Sequence, residues 1–337
     1  MQLKHHYGRI LRRLAIAIFF VAVAVLLYMR ARAIDWGKVL QSLRHFEPST
    51  IALAAAAALA SYLVYACVDL FARAYTGKAI PRLLSMQIAF VSYAFNLNLG
   101  SLIGSIGFRY RLYSRFGVQP ELIGRIVGLS LVTNWSGYFL VAGVAFLLRF
   151  VQLPAHWDLG TLGLQVCGAM LLITICGYVA LCAFSKRRSW TIRKTELNLP
   201  SATTALAQIG LSSLNWLLIG SVLFVLFEGR VDYPTVLAVF LLSSIAGAAT
   251  HIPAGLGVTE AVFISLLGSR MPHHELLAAI LAYRGIYYLG PLVLAFFLYL
   301  GLEARARRIG LPDLADAADA ATSKSRVQDS ARTITQS

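Results

Sequence analysis

The sequence predicts an all-α polytopic membrane protein, with six full spans and two re-entrant helical hairpins arranged as inverted repeats. The first reason is composition: 58% of the 337 residues are hydrophobic and 13% are charged, whereas soluble domains carry about 25% charged residues. The second is that the chain as a whole has a mean hydropathy of +0.70, and its apolar residues gather in eight segments whose lengths are near or above the ~20 residues that cross a bilayer. The third is that Lys and Arg lie in short runs at the segment ends, a pattern that orients membrane proteins. These observations exclude a soluble enzyme and a disordered chain.

The net charge of +15 indicates membrane topology and contact with anionic lipid headgroups, because its distribution follows the segment ends. We therefore expect no nucleic-acid partner. Of the 30 basic residues, 22 fall in patches that we assign to the cytoplasmic side. These patches are residues 4–13, 73–82, 109–125, 186–194 and 305–308, together with the basic residues of the tail.

The chain begins with a basic stretch, residues 1–13, which we expect to be cytoplasmic, followed by the apolar segment 14–29. The tripeptide 31–33, Ala-Arg-Ala, resembles a signal-peptidase site. The apolar run is long for a signal peptide, however, and Arg30 and Arg32 crowd the supposed cleavage site. We therefore predict an uncleaved first span that starts in the cytoplasm.

Five further segments are predicted to be full spans, since basic patches alternate with less basic loops at their ends. In chain order they are 51–72, 122–148, 161–184, 203–227 and 276–302.

The segments 83–106 and 234–267 are predicted to be re-entrant hairpins. Basic patches flank 83–106 on both sides, so this segment is expected to enter and leave at the cytoplasmic side. Pro253, Gly255 and Gly257 interrupt 234–267, because proline removes a backbone donor and glycine favours turns. Non-helical backbone at membrane depth is tolerated only where protein or a wet cavity surrounds it.

Span, hairpin and span occur twice in this order, over 51–148 and 203–302, in opposite senses across the membrane. This is the inverted-repeat plan of many transporters, whose broken elements meet near the bilayer midplane. The lipid-embedded domain is predicted to cover 14–303. Residues 304–337 are poor in apolar side chains and are predicted to form a disordered cytoplasmic tail, which places both termini in the cytoplasm.

Glu260 and Arg284 are the leading candidates for function, because ionisable groups inside a membrane are costly and mark sites. Glu260 follows the hairpin break and has two interpretations: it binds a cation, a proton or a headgroup amine, or it forms a structural salt bridge or helix cap. Arg284 lies within the last span and either holds a phosphate or pairs with Glu260. His251, at the break, is interpreted as a hydrogen-bonded structural residue or a proton relay.

The first hairpin supplies a second set of candidates. Arg109 and Arg111 either form a phosphate-attracting mouth, suited to the planar donors of arginine, or reach the interface as ordinary long side chains. Asn96 and Asn98 precede the glycine run and are expected to line the same pocket. Asn215, in the middle of a span, is expected to join helices by hydrogen bonding.

Other patterns point away from metal and cofactor chemistry. The triplet His273, His274 and Glu275 lacks the HExxH spacing of a zinc site, and no P-loop or GxSxG motif occurs. The four cysteines lie in apolar stretches without CxxC spacing. We therefore predict no metal, no cofactor and no enzymatic activity.

The pattern Pro-x-Gly-x-Gly-x-x-Glu, from Pro253 to Glu260, resembles the signature of the lysylphosphatidylglycerol synthase/flippase transmembrane family. The stretch 93–111 is similar to that family's other polar hairpin, and the resemblance covers roughly residues 10–303. It is nearest to the stand-alone inner-membrane proteins of Gram-negative bacteria, which have no synthetase domain. The resemblance implies a domain that moves phospholipids, including aminoacylated ones, between leaflets. It implies roles for Pro253, Gly255, Gly257 and Glu260, and less directly for Asn96, Asn98 and Arg109.

The leading hypothesis is therefore a phospholipid flippase or scramblase of the cell inner membrane, with a headgroup groove between the two hairpins. Anionic or aminoacylated phospholipids are the expected partners, and an oligomer is compatible with the sequence. A secondary transporter of a small polar or anionic solute is the main alternative. A lipid-modifying enzyme and a scaffold for partner proteins are the others.

Overall fold

The computed structural model describes residues 36–75, 80–154, 157, 160–185, 189–192, 195–250 and 252–308. The predicted basic N-terminus (1–13), the predicted first span (14–29), His251 and the predicted tail beyond residue 308 lie outside the described residues. The last helix continues five residues past the predicted domain end at 303.

The described chain is almost entirely helical, as predicted, with one short antiparallel ribbon that the sequence analysis did not predict. In the ribbon β1 (Ser189–Ile192) pairs with β2 (Thr195–Asn198), between two long helices. The α-helices are α1 (Trp36–Arg44), α2 (Pro48–Ala66), α3 (Val68–Tyr75), α4 (Arg82–Leu99), α5 (Phe108–Arg115), α6 (Pro120–Leu147), α7 (Gly160–Phe184), α8 (Ala202–Leu226), α9 (Tyr233–Thr250), α10 (Val258–Leu267), α11 (His273–Tyr283) and α12 (Gly290–Arg308). Ser101–Gly107 and Arg284–Leu289 are π-helical, and Pro253–Gly255 is a 3₁₀ turn.

Six described helical stretches are long and apolar enough to cross a membrane. They are Pro48–Arg73, Pro120–Leu147, Gly160–Phe184, Ala202–Leu226, Tyr233–Thr250 and His273–Arg308. Five coincide with predicted full spans. The sixth, Tyr233–Thr250, belongs to a segment predicted as a hairpin, so its length does not separate a hairpin arm from a span.

The chain reverses direction between α4 and α5. Gly100 adopts φ 83°, and the rings of Phe95 and Phe108 stack with centroids 4.0 Å apart. In one continuous helix these two residues would be about 20 Å apart at 1.5 Å per residue. Helices α4 and α5, with the π-helical segment between them, therefore form a helical hairpin.

Helices α9 and α10 form a second hairpin, which is closed by an ion pair between its two ends. Asp232 precedes α9 and Arg270 follows α10, yet Arg270 Nη1 lies 3.4 Å from Asp232 Oδ1. The two arms therefore begin and end at the same side of the bundle.

Asp232 also caps α9, because the backbone N–H of Thr235 donates to its Oδ2 at 3.0 Å. Partial burial raises the pKa of this carboxyl, but hydrogen bonds from Thr235 and the charge of Arg270 outweigh burial and leave the pKa below its ordinary value. A lowered pKa contributes stability above the unfolded-state pKa, and this contribution is lost as the pH falls through the folded-state pKa.

Asp232→Asn is therefore expected to destabilise the protein at pH 7, by less than about 1 kcal/mol because the pair is exposed. Asparagine still caps a helix, so the substitution removes mainly the charge. Thermal unfolding in detergent should show that the gap between wild type and variant closes below pH 4. A gap that stays constant with pH would assign the effect to the cap instead.

The two predicted repeats, residues 51–148 and 203–302, pack against each other through helices that occupy equivalent positions in the two repeats. Helix α2, the first long helix of one half, packs against α8, the first of the other. Helix α4, in the first hairpin, packs on α12, and α9, in the second hairpin, packs on α6. Close approach depends on glycine: an added Cβ at Gly137 would lie 2.4 Å from the Ser212 hydroxyl. The resulting interior places both hairpin turns near Arg284.

Candidate functional site

Arg284 and Glu260 form a two-contact ion pair inside the bundle. Arg284 Nε donates to Glu260 Oε1 at 2.8 Å, and Nη2 lies 3.3 Å from Oε2. The two side chains are only 12% and 19% exposed. The pair joins the last long helical stretch to the second hairpin. The contact between Arg284 and Glu260 that the sequence suggested as one interpretation is therefore present.

The same guanidinium also binds the broken segment. Arg284 Nη1 donates to the carbonyl of Ala254 at 2.9 Å, and Nη2 donates to that of Gly255 at 3.3 Å. These carbonyls are free to accept because the chain leaves the helical conformation here: φ is 56° at Ala254, 58° at Gly255 and 79° at Gly257. The positive φ values favour glycine, so the Pro-Gly-Gly pattern places acceptors where the arginine reaches them.

Glu260 has a second role at the start of α10, since its Oε2 accepts the backbone N–H of Gly257 at 2.8 Å. A carboxylate is stabilised at this end of a helix by the exposed N–H groups and the helix dipole. The predicted helix cap and the predicted salt bridge therefore occur together in one side chain.

Asn98 brings the first hairpin to this site. Its Nδ2 donates to the carbonyl of Ala94 at 2.9 Å and to that of Tyr288 at 3.3 Å. The guanidinium carbon of Arg284 lies 5.6 Å from the centre of the Tyr288 ring, a cation–π distance. Asn96 is half-buried nearby on α4. The structure therefore brings together Glu260, Arg284, Asn98 and the broken segment, whereas Arg109 and Arg111 have other partners.

Arg109 is fully buried and binds Asp69. Its Nε and Nη2 donate to the two carboxylate oxygens at 3.1 and 3.0 Å, and its Nη1 donates to Ser105 Oγ at 2.7 Å. Both charged side chains have no exposed surface. Every nitrogen of this guanidinium therefore has an acceptor within the protein.

Asp69 lies four residues before Arg73 on α3, a spacing that predicts an ion pair on the surface of one helix. Instead it is buried and also accepts hydrogen bonds from Tyr113 at 3.1 Å and Ser130 at 2.7 Å. Four donor groups from two helices, α5 and α6, thus surround one carboxylate. The pattern i, i+4 was visible in the sequence, whereas a partner 40 residues away was not.

Arg111 lies at the other end of the first hairpin, with a half-exposed side chain. Its Nε lies 2.6 Å from Glu303 Oε1, and its guanidinium carbon is 5.9 Å from the Tyr299 ring centre. Arg115 Nε is 3.4 Å from the other oxygen of Glu303. Arg284 and Glu303 are 19 residues apart on one continuous helical stretch, about 28 Å at 1.5 Å per residue. The two arginine sites are therefore at different depths.

A buried hydrogen-bond network next to Arg284 was only partly predicted. The Tyr287 hydroxyl forms hydrogen bonds with the hydroxyls of Ser61 at 2.7 Å and Tyr93 at 3.0 Å. The Tyr287 carbonyl accepts a hydrogen bond from the Tyr62 hydroxyl at 3.0 Å. Ser61 also donates to Asn215 at 2.7 Å, which confirms the prediction that this asparagine joins helices. The network links α2, α4, α8 and the π-helical segment around the candidate site. The aromatic residues around Arg284 were the signal in the sequence.

Gly104 fixes the turn of the first hairpin, because an added Cβ would lie 2.2 Å from the backbone nitrogen of Asn96. Gly104→Ala is therefore expected to lower the free energy of unfolding by about 1–3 kcal/mol, the usual cost of overpacking. Chemical denaturation in detergent measures this cost. Gly177→Ala is the matched control, since nothing lies within 4 Å of its added Cβ. Equal stability of the two variants would show that the hairpin arms do not touch here.

Within the ranges that the structure describes, no group of three or more His, Cys, Asp or Glu side chains is placed to hold a metal ion.

Comparison with known proteins gives a family match over most of the chain. The model of the lysylphosphatidylglycerol synthase TM region matches residues 12–295. The inner membrane protein YbhN of Escherichia coli is 44% identical over 310 residues, covering 92% of this chain and 98% of YbhN. The uncharacterized protein slr0712 of Synechocystis is 32% identical, covering 76% and 80%. A phosphatidylglycerol lysyltransferase of Staphylococcus haemolyticus is 21% identical over 88% of this chain but only 34% of its own length.

Proposed function

Because the chain belongs to the lysylphosphatidylglycerol synthase TM-region family, we propose that it is a flippase or scramblase that moves phospholipid headgroups between membrane leaflets. The headgroup path runs between the two helical hairpins, and the acyl chains stay in the surrounding lipid. Such a path lowers the barrier because a headgroup in hydrocarbon loses water at several kcal/mol per unsatisfied polar group.

The observation that carries this proposal is the Arg284–Glu260 pair. Arg284 lies within a helical stretch that is long and apolar enough to cross a membrane, and its guanidinium also binds the broken backbone. Burying two charges is costly, and such pairs inside membranes mark sites of function. Arginine binds phosphate through the same planar donors that bind carboxylate. A headgroup phosphate would therefore compete with Glu260 for Arg284, and a headgroup amine would occupy the carboxylate that this exchange releases.

The proposal assigns different roles to the three arginines. Arg111 is half-exposed at one end of the first hairpin and receives the phosphate at the mouth of the path. Arg284 binds it at mid-depth, next to Asn98. Arg109 holds the hairpin in place, because its side chain and that of its partner Asp69 have no exposed surface, whereas Arg284 and Glu260 are partly exposed. His251, outside the described residues, stays a candidate next to the break, together with Asn96 on the facing hairpin.

Both hairpins are proposed to be re-entrant, within six full spans and an inverted repeat. The pairing of α2 with α8, of α4 with α12 and of α9 with α6 supports a pseudo-twofold relation between the halves. Apolar side chains at the hairpin turns support contact with acyl chains: Leu102 is 75% exposed and Leu256 45%.

The similarity to the E. coli inner membrane protein supports location in a bacterial inner membrane. Both termini are proposed to be cytoplasmic from the distribution of the basic residues. Phospholipids, anionic or aminoacylated, are the proposed partners. Transport without covalent change of the lipid is proposed, since the candidate site supplies binding groups for a headgroup rather than a nucleophile with its base.

The test is a leaflet-resolved assay of fluorescent phospholipids in proteoliposomes that contain the full-length protein. Translocation at least tenfold above protein-free vesicles is expected. Rates equal to those of empty vesicles, with protein that is folded by circular dichroism, would contradict the proposal. Stabilisation by a small anionic solute without any lipid translocation would favour the alternative, a secondary transporter.

A further inference from the structure

A cavity of about 490 Å³ opens at the end of the bundle opposite Glu303. It lies between α1, the loop after α8 and the start of α11, where Glu275 is 28 residues from Glu303 along one helical stretch. This separation corresponds to about 42 Å at 1.5 Å per residue, more than the ~30 Å hydrocarbon core of a bilayer. The cavity therefore lies at the opposite membrane surface from Arg111 and Glu303, a surface that charge distribution predicts to be extracytoplasmic.

The lining combines an apolar floor with charges of both signs. Phe227 is fully buried beneath the cavity. Arg230 contacts Glu275, and its Nη2 lies 3.9 Å from Glu228 Oε2. Glu228 holds φ 51°, a conformation that non-glycine residues rarely adopt, and it is one of the residues that line the cavity. The volume is within the range of small-molecule sites.

The charges restrict the chemistry of an occupant. A simple anion would face two carboxylates, and a simple cation would face the guanidinium of Arg230. A group with a phosphate and an amine a few ångströms apart matches both signs, with phosphate at Arg230 and amine at Glu228. His274, which also lines the cavity, offers a ring nitrogen as a further partner for the phosphate.

We propose that this cavity binds a zwitterionic amine–phosphate group of the phosphoethanolamine type. The inference rests on the proposed function in one respect only. In a flippase or scramblase, the cavity would hold a headgroup as it enters or leaves the extracytoplasmic leaflet. Binding itself requires only the cavity. The same chemistry occurs in a lipid headgroup and in a soluble phosphodiester.

The test measures binding of glycerophosphoethanolamine to the full-length protein in nanodiscs, with glycerophosphate and ethanolamine as half-ligand probes. Affinity at least tenfold higher for the zwitterion than for either half is expected. Arg230→Gln should weaken glycerophosphoethanolamine binding at least tenfold. Glu228→Gln should abolish the preference over glycerophosphate. Arg270→Gln, an exposed arginine paired with Asp232 at the same end, is the matched control and should bind like wild type.

Equal affinities for the three probes, or binding that none of the cavity variants alters, would overturn the proposal.

To distinguish a lipid headgroup from a soluble phosphodiester, native mass spectrometry compares the phosphatidylethanolamine that is retained by wild type and by Arg230→Gln. Selective loss of the lipid in the variant assigns the site to a membrane headgroup, and loss of the soluble probe alone assigns it to a free zwitterion. Intact zwitterion binding without lipid translocation would contradict only the proposed function, and normal translocation without zwitterion binding would contradict only this inference.

Discussion

Arg109→Gln is expected to lower the free energy of unfolding by about 3–5 kcal/mol, as breaking a buried ion pair does. The substitution leaves Asp69 as a buried charge without its cation, because both side chains have no exposed surface. The hydrogen bonds from Tyr113 and Ser130 remain but do not neutralise it. Unfolding by increasing SDS in mixed micelles measures the loss.

The double variant Asp69→Asn/Arg109→Gln should recover more than half of this loss, since it removes both charges. Arg149→Gln is the control, an exposed arginine that binds Gln165, and should shift stability by less than about 0.5 kcal/mol. Stability of Arg109→Gln within 1 kcal/mol of wild type would mean that water reaches Asp69, and the account of Arg109 as a buried structural residue would then fail.

Arg284→Gln and Glu260→Gln are each expected to slow lipid translocation by about 10- to 100-fold. A charge-assisted hydrogen bond contributes about 1.5–3 kcal/mol, and 1.4 kcal/mol is a factor of ten in rate. Arg284→Lys should fall between wild type and Arg284→Gln, because lysine keeps the charge but loses the planar donors. The proteoliposome assay gives the rates, at protein amounts matched by quantitative blotting.

The double variant Glu260→Gln/Arg284→Gln distinguishes a role of the pair in headgroup binding from a purely structural role. If the pair only supports the fold, removing both charges together restores activity, because neither is left unpaired. If the pair binds the headgroup, the double variant stays inactive while its thermal stability approaches wild type. Restored translocation would therefore contradict the assignment of these residues to the path.

Apolar segments, charge runs and the break at Pro253 were enough to predict the helical membrane fold and the approximate ends of the helices. These signals are local: twenty apolar residues or a Pro-Gly pattern act over a few turns of chain. The turn at Gly100 and the return of α10 toward the start of α9 follow the predicted segments 83–106 and 234–267. The re-entrant orientation of both hairpins stays a prediction.

The partners of the charged residues were less predictable. Glu260 and Arg284 were recognised as a possible pair because both are isolated charges in apolar surroundings. Arg109 stood among other basic residues and was interpreted either as part of a phosphate-attracting mouth or as an ordinary interfacial side chain, although its partner Asp69 is 40 residues earlier. Long-range partners depend on how helices pack, and this information is distributed over many contacts.

The ribbon β1–β2 and the cavity beside Arg230 were not predicted. The ribbon lies in a basic loop whose sequence carries no strong alternation of apolar and polar residues. The cavity depends on α1, which the apolar segments do not include. Both features lie outside the hydrophobic segments, where membrane patterns carry little information.

The most direct test of the central claim is two-sided labelling of single cysteines at the hairpin ends, in a background without the four native cysteines. Probes at residues 82 and 117 should react from one side of the membrane, and probes at residues 232 and 269 should react from the other. That result is predicted if both hairpins fold back to flank a shared polar path. Reaction of the two ends of either hairpin from opposite sides would contradict it, because a hairpin that crosses the bilayer cannot form one wall of that path.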